Sequence, residues 1–358
     1  MPNPMINKLI RAEIRQLSAY HVPHAGHAVK LDAMENPYQW EEQLKTAWLH
    51  TLQAAELNRY PDSSAQQLKQ QLRTVMEIPD NMDIILGNGS DELIQMLALT
   101  FNQPNQVLLA PEPSFVMYRL ISQIVGLSYL GISLQKQTFD LDMFALLEAI
   151  ETHQPALIFI AYPNNPTGNL FMPEDIEAII ETTRGIVVID EAYGPFAEAT
   201  FLPYLQDYPN LLIMRTVSKL GLAGLRLGLL IGQKSWLEQI EKTRLPYNIN
   251  TLSQLTALFA LQHYHVLLAQ TQQIKRDRQI VLQELQQIMG VKVWKSDANF
   301  LLFKIDQAAQ RFEQLKEKGI LIKNLHNTHP LLHNCLRVTI GKPEENQLFL
   351  DRLRDCLN

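Results

Sequence analysis

Apolar residues fall first into short uninterrupted runs and later into longer, helically spaced ones. Ile84-Ile85-Leu86, Val107-Leu108-Leu109, Leu157-Ile158-Phe159-Ile160, Ile186-Val187-Val188-Ile189, Leu211-Leu212-Ile213 and Leu229-Leu230-Ile231 are each short enough to be a strand buried on both faces. Residues 91–100, 114–125 and 173–184 read as helices between them. The first opens on Ser90-Asp91-Glu92. The last opens on Pro173-Glu174-Asp175, where proline suits the first turn and acids suit the positive end of the dipole. Strand and helix in alternation predict an α/β unit with a mostly parallel sheet covered on both faces.

From 252 to 289 the pattern turns long and helical, with few breakers. Residues 298–304 and 336–340 then read as strands, with a helix near 307–318, which predicts a smaller α+β unit. Residues 1–45, broken by Pro23, Gly26 and Pro37, read as an irregular arm that needs another surface to lie on. The expected organisation is an arm over 1–45, a large domain over 46–250 and a small C-terminal domain over 251–358.

Composition narrows the function. A chain of 358 residues with 46% hydrophobic content can fill cores for about two domains. A net charge of −6 points away from nucleic acid and anionic membrane. Cys335 and Cys356 form no CxxC pair, so a disulfide framework is not expected. The N-terminal residues lack a leader-like apolar run, and no segment approaches the roughly 18 apolar residues of a spanning helix. A cytoplasmic location is the expectation.

The chemistry lies in four groups that occur in order. Asn164-Asn165-Pro166-Thr167-Gly168 follows one apolar run, Asp190-Glu191-Ala192-Tyr193 ends the next, and Thr216-Val217-Ser218-Lys219 ends a third, with Arg226 beyond it. A lysine amine, a carboxylate at a strand end, a phenol and an amide are what a pyridine-aldehyde cofactor needs. The amine makes a Schiff base, the carboxylate pairs with the ring nitrogen, and the phenol and amide hold a ring oxygen. Taken singly, each has a plainer reading: Asp190 a helix cap, Tyr193 a core tyrosine, the asparagines a turn, Lys219 a surface lysine. Gly87-Asn88-Gly89-Ser90-Asp91-Glu92 joins a strand to a helix, where free N–H groups can face a phosphate. Glu92 stands where a dinucleotide fingerprint has its third glycine, which argues against a nicotinamide site. Thr216, Ser218 and Arg226 can add donors to that phosphate. Phe115 reads equally as a ring-stacking face or a core aromatic.

These residues resemble the fold-type I pyridoxal-phosphate aminotransferases, and among them the histidinol-phosphate aminotransferase family. The likeness runs through Leu31-Asp32-Ala33-Met34-Glu35-Asn36-Pro37-Tyr38, Asn58-Arg59-Tyr60-Pro61-Asp62, the glycine turn, residues 113–118, the motifs above and Cys335-Leu336-Arg337-Val338-Thr339-Ile340-Gly341. It implies a large domain with a mostly parallel seven-stranded sheet and a smaller α+β domain. It implies Lys219 as the Schiff-base lysine and acid/base, Asp190 on the pyridine nitrogen, Tyr193 and Asn165 on the ring oxygen, and Phe115 on the ring face. Ser90, Asp91, Thr216, Ser218 and Arg226 would surround the cofactor phosphate. Tyr60 would reach the phosphate of the other subunit in a homodimer. Arg337 would hold the substrate anion, with Tyr20, Asn36 and Lys323 near the substrate. The implied reaction moves an amino group between histidinol phosphate and 2-oxoglutarate by two half-reactions, giving imidazole acetol phosphate and glutamate.

Met34 stands where the family often has asparagine, Lys323 where it often has arginine, and Phe115 where it often has tyrosine. Lysine keeps the charge but loses the bidentate fork. An aromatic-amino-acid aminotransferase or a phospho-amino-acid decarboxylase on the same scaffold remains open, as does a non-catalytic regulator that binds the cofactor. His21, His24 and His27, and also His326, His329 and His333, fall in breaker-rich loops, so no metal site is expected.

Overall fold

The computed structural model describes residues 4–19 and 26–357. Its strands are β1 (Val29–Lys30), β2 (Asp83–Gly87), β3 (Val107–Glu112), β4 (Ser128–Ser133), β5 (Leu157–Ala161), β6 (Ile186–Asp190), β7 (Leu211–Thr216), β8 (Gly228–Gly232), β9 (Val291–Val293), β10 (Phe300–Ile305), β11 (Ile320–Leu321), β12 (Lys323–Asn324) and β13 (Cys335–Thr339). Seven of them form one sheet in the order β2-β8-β7-β6-β5-β3-β4. Pairing is parallel except at β8, which runs antiparallel to both β2 and β7. A four-stranded antiparallel sheet, β12-β13-β10-β9, lies toward the C-terminal end.

The uninterrupted apolar runs have a physical reason. Successive strand residues face opposite sides of a sheet. Ile158 and Ile160 enter one apolar cluster with Val187 and Ile189. Leu157 and Phe159 enter another with Val188 and Met214, on the other side. All of these side chains are fully buried. Each such burial contributes about 2 kcal/mol, so a charge at any of these positions would break the sheet.

The structure corrects three details expected from the sequence. Residues 1–45 are not uniformly irregular: they include helices Pro4–Leu9 and Ala12–Gln16, the strand β1, and the start of helix Glu42–Leu52. The short strand β1 pairs in parallel with β11 and ties this segment to the C-terminal part. The long pattern from 252 is two helices, Thr251–Gln262 and Tyr264–Gln287, that meet at His263. The helix expected from 114 starts at Met117. Among the described residues no helix is long and apolar enough to cross a membrane.

Candidate active site

The parallel strands β2, β5, β6 and β7 end on one edge of the large sheet. That edge is where open α/β sheets bind ligands. Gly87, Ala161, Asp190 and Thr216 are their last residues. A cavity of about 340 Å³ opens there, with Lys219, Asp190 and Tyr193 among its lining residues. Asn165, Phe115 and Met34 also line it.

Lys219 sits in a single 3-10 turn, Ser218–Leu220, directly after β7. Its Nζ lies 5.6 Å from the centroid of the Tyr193 ring. Burial pushes its pKa down to about 8, helped by the charges of Arg337 and Arg226 and opposed by Glu35 and Asp91. About a tenth is therefore the neutral amine at pH 7, some hundredfold more than in an ordinary lysine, and neutral amine is the form a nucleophile or base requires. Asp190 is buried at the end of β6. Burial pushes its carboxyl up to about 6, against hydrogen bonds from Tyr118 and the Ala192 N–H. Tyr118 Oη donates to Oδ2 at 2.6 Å and the Ala192 N–H to Oδ1 at 3.0 Å. A carboxylate can accept about four hydrogen bonds, so acceptor capacity is left for a cationic partner in the cavity.

Asn165 Nδ2 donates to Tyr193 Oη at 3.1 Å. Its Oδ1 accepts from Arg337 Nη1 at 2.5 Å. Arg337 is buried on β13, donates to the carbonyl of Asp32 at 3.0 Å, and lies over the Phe300 ring. Asn164 does something different. It accepts from Ser114 Oγ and donates to the Pro113 carbonyl and Thr167 Oγ1, holding the two loops together.

The end of the cavity at the glycine turn is equally built. Helix Ser90–Thr100 starts after Gly89, which has φ +89°. A Cβ at Gly89 would lie 2.4 Å from Arg226 Nη2, and one at Gly228 would lie 2.9 Å from the backbone N of Ser90. Both glycines let the turn and the guanidinium close on the helix N-terminus. Arg226 also pairs with Asp91 at 3.4 Å. Thr216 Oγ1 lies 2.8 Å from Ser218 Oγ and donates to the Leu227 carbonyl. Ser90, Asp91, Thr216, Ser218 and Arg226 all line the cavity. An N-terminal helix turn, two hydroxyls and a guanidinium make an anion cradle. Amine, buried carboxylate, amide–phenol pair and cradle together fit pyridoxal phosphate.

Other residues singled out from the sequence lie elsewhere. Tyr60 is exposed and stacks on Tyr247 at 4.5 Å. Asn36 is half-buried outside the cavity lining; its Nδ2 donates to the carbonyl of Leu220, beside Lys219, and to Gln270 Oε1. Lys323 is the β12 register partner of Arg337, and burial followed by the Arg337 charge lowers its pKa. Tyr20 lies outside the described residues, as do His21 and His24. Tyr118 did not stand out in the sequence. The available signal was a tyrosine one helical turn after Phe115.

The family model for aminotransferase class I and II matches residues 27–353. A histidinol-phosphate aminotransferase 2 of Nitrosococcus oceani is 51% identical over 356 residues, 99% of each chain. A histidinol-phosphate aminotransferase 2 of Cupriavidus pinatubonensis is 49% identical over 97% of this chain and 96% of that one. The histidinol-phosphate aminotransferase of Sinorhizobium meliloti, solved in complex with pyridoxal-5'-phosphate, superposes with a TM-score of 0.85 at 22% identity, over 98% of this chain and 97% of that one. The chain belongs to the aminotransferase class I and II family.

Proposed function

We propose that this chain is a pyridoxal-phosphate enzyme that transfers an amino group between histidinol phosphate and 2-oxoglutarate, yielding imidazole acetol phosphate and glutamate. The observation that carries this is the sharing of one cavity by the Lys219 amine, the Asp190 carboxylate and the phosphate cradle. The curated relatives that share about half of its residues bear the name of that reaction.

Pyridoxal phosphate, when bound, supplies an aldehyde that takes up the amino group and a ring that accepts the electron pair left at the substrate α carbon. The protein does the rest. Lys219 moves the proton to and from the α carbon, and its lowered pKa suits that role at neutral pH. Asp190 holds the ring nitrogen, Tyr193 and Asn165 hold the ring oxygen, and Phe115 covers one face. Ser90, Asp91, Thr216, Ser218 and Arg226 hold the phosphate. Arg337 holds the substrate anion, the phosphate of one substrate and the carboxylate of the other in turn, with Lys323 adding charge beside it. Asn36 acts through the Lys219 loop, whose Leu220 carbonyl it binds.

The division into arm, large domain and small domain at 45 and 250 belongs to the same reading. We place the enzyme in the cytoplasm; both cysteines are buried and free, in keeping with a reducing compartment. The chain acts as a homodimer in this reading, supported by Tyr60, which is exposed, stacks on Tyr247 and does not line the cavity of its own chain.

The test is the absorption spectrum of purified protein with pyridoxal phosphate, before and after histidinol phosphate, followed by turnover with glutamate as donor. Conversion of the spectrum by histidinol phosphate, and a preference for it over phenylalanine or tyrosine, is expected. Carbon dioxide release would move the assignment to a decarboxylase. Preference for an aromatic amino acid would move it to an aromatic aminotransferase.

A further inference from the structure

Tyr118 is fully buried on helix Met117–Val125 and is not among the lining residues of the cavity. Its ring stacks on Phe159 of β5, with centroids 4.7 Å apart and planes at 15°. It meets Phe115 edge-on at 5.6 Å. These contacts fix the ring, and hence the direction of its hydroxyl. The hydroxyl reaches Oδ2 of Asp190 at 2.6 Å, across 72 residues of sequence. The spacing is typical of a charge-assisted O–H···O⁻ bond.

We propose that Tyr118 is a positioning residue: its phenol, donated to Oδ2 of Asp190, keeps that carboxylate ionised and aimed at the ring nitrogen of pyridoxal phosphate. The proposal rests on the assignment of Asp190 to that nitrogen.

The physical need is plain. A carboxylate buried at a strand end favours its neutral form unless donors stabilise the charge. The groups around Asp190 mostly work against ionisation: Asp91 from helix Ser90–Thr100 and Glu191 beside it are both acidic. Tyr193 faces it from its own segment, and its phenol is raised by burial first and then by the Asp190 charge, against the charge of Arg337. Tyr118 and the Ala192 N–H are the donors that oppose them. Only the first is a side chain, so only it can be varied without disturbing the backbone. A protonated Asp190 could not attract a ring cation. The ring would then be a poorer electron acceptor, and the cofactor would be held less tightly.

A double-mutant cycle on affinity for pyridoxal phosphate tests this in the full-length protein, using Y118F, D190N and Y118F/D190N over pH 6 to 9. Loss of a hydrogen bond to a charged group predicts that Y118F weakens cofactor binding about 10- to 100-fold near pH 6.5. The deficit should shrink toward pH 9, where Asp190 ionises even without its phenol donor. In the D190N background the same change should matter by less than about 2-fold. A deficit independent of pH, or equal in both backgrounds, would mean that Tyr118 acts by packing and would overturn the proposal. If Y118F is too unstable for cofactor titration at the assay temperature, its unfolding temperature and that of the double variant decide. Recovery in Y118F/D190N supports the proposal, because the neutral amide no longer needs the donor; equal instability of both overturns it. Failure of the unaltered protein to bind pyridoxal phosphate would instead sink the cofactor assignment itself.

Discussion

Arg337 on β13 donates to Oδ1 of Asn165 at 2.5 Å, and the same amide donates through Nδ2 to Tyr193 Oη at 3.1 Å. The proposed grip on the substrate anion and the proposed grip on the ring oxygen therefore share one side chain, contributed by the turn after β5. R337K keeps a charge but cannot hold Asn165, the Asp32 carbonyl and a substrate oxygen from one rigid fork. The KM for histidinol phosphate should rise about 10- to 100-fold, the cost of a charged hydrogen bond or two. Affinity for pyridoxal phosphate should change far less. Steady-state kinetics beside a cofactor titration check both, and an unchanged KM would remove Arg337 from the substrate site.

Lys219 sets a pH signature. Its pKa is about 8 in the folded chain against an ordinary 10.5. Between those values the unfolded chain binds the extra proton, so the contribution of Lys219 to stability rises with pH across that window, and the charged amine costs stability below it. Labelling of Lys219 by acetic anhydride in cofactor-free protein, followed by peptide mass spectrometry, should rise with a midpoint near pH 8. R337Q removes a positive charge that lowers the pKa, so its midpoint should move up. A midpoint near 10.5 in the unaltered protein would contradict the burial of the amine.

What could be read from the sequence follows from burial. β5 and β6 are buried at every position, so they read as unbroken apolar runs. β4 lies at the sheet edge and is only half-buried, with serine at both ends and Gly131 in the middle, so it offers no such run. Gly131 is there for Glu112: a Cβ would lie 2.3 Å from its Oε2. Helix Gln66–Val75 is mostly glutamine and charge, and within it only Leu68 and Leu72 are buried. The break at His263 has neither proline nor glycine to mark it. Lys219, Asp190, Asn165 and Tyr193 stood out because their motifs are local in sequence. The partnership of Tyr118 with Asp190 spans 72 residues and rests on the pairing of β5 with β6 and the seating of one helix, which no local pattern carries.

Glu191, next to Asp190, serves stability. It is 1% exposed and accepts from Arg215 at 2.8 Å, from Thr200 Oγ1 and from the Phe201 N–H at 2.6 Å. Removing one partner of a buried ion pair strands the other, which costs about 3 kcal/mol. R215M should lose about that much in urea unfolding of the cofactor-free protein, and E191Q/R215M should recover a good part of it. Equal losses in the single and double variants would show that the pair contributes nothing through its charges.

The exposed Tyr60 decides whether two chains complete each site. Tyr60 stacks on Tyr247 at the surface and does not line the cavity of its own chain, whereas Lys219 does. K219A should lose about 10²- to 10⁴-fold in turnover or more, as expected when an acid/base group is removed. Y60A should weaken cofactor binding if the ring reaches a neighbour's phosphate. Mixing the two variants, at a cofactor concentration too low to fill a site that lacks Tyr60, and allowing subunits to exchange makes hybrids. In these, one site carries both changes and the other carries neither. With half of the dimers hybrid and one intact site in each, activity should return to about a quarter of the unaltered level. Sites built from a single chain predict no recovery, because each chain would bring its own defect. Restoration on mixing, at a rate set by subunit exchange, therefore separates a shared site from a private one.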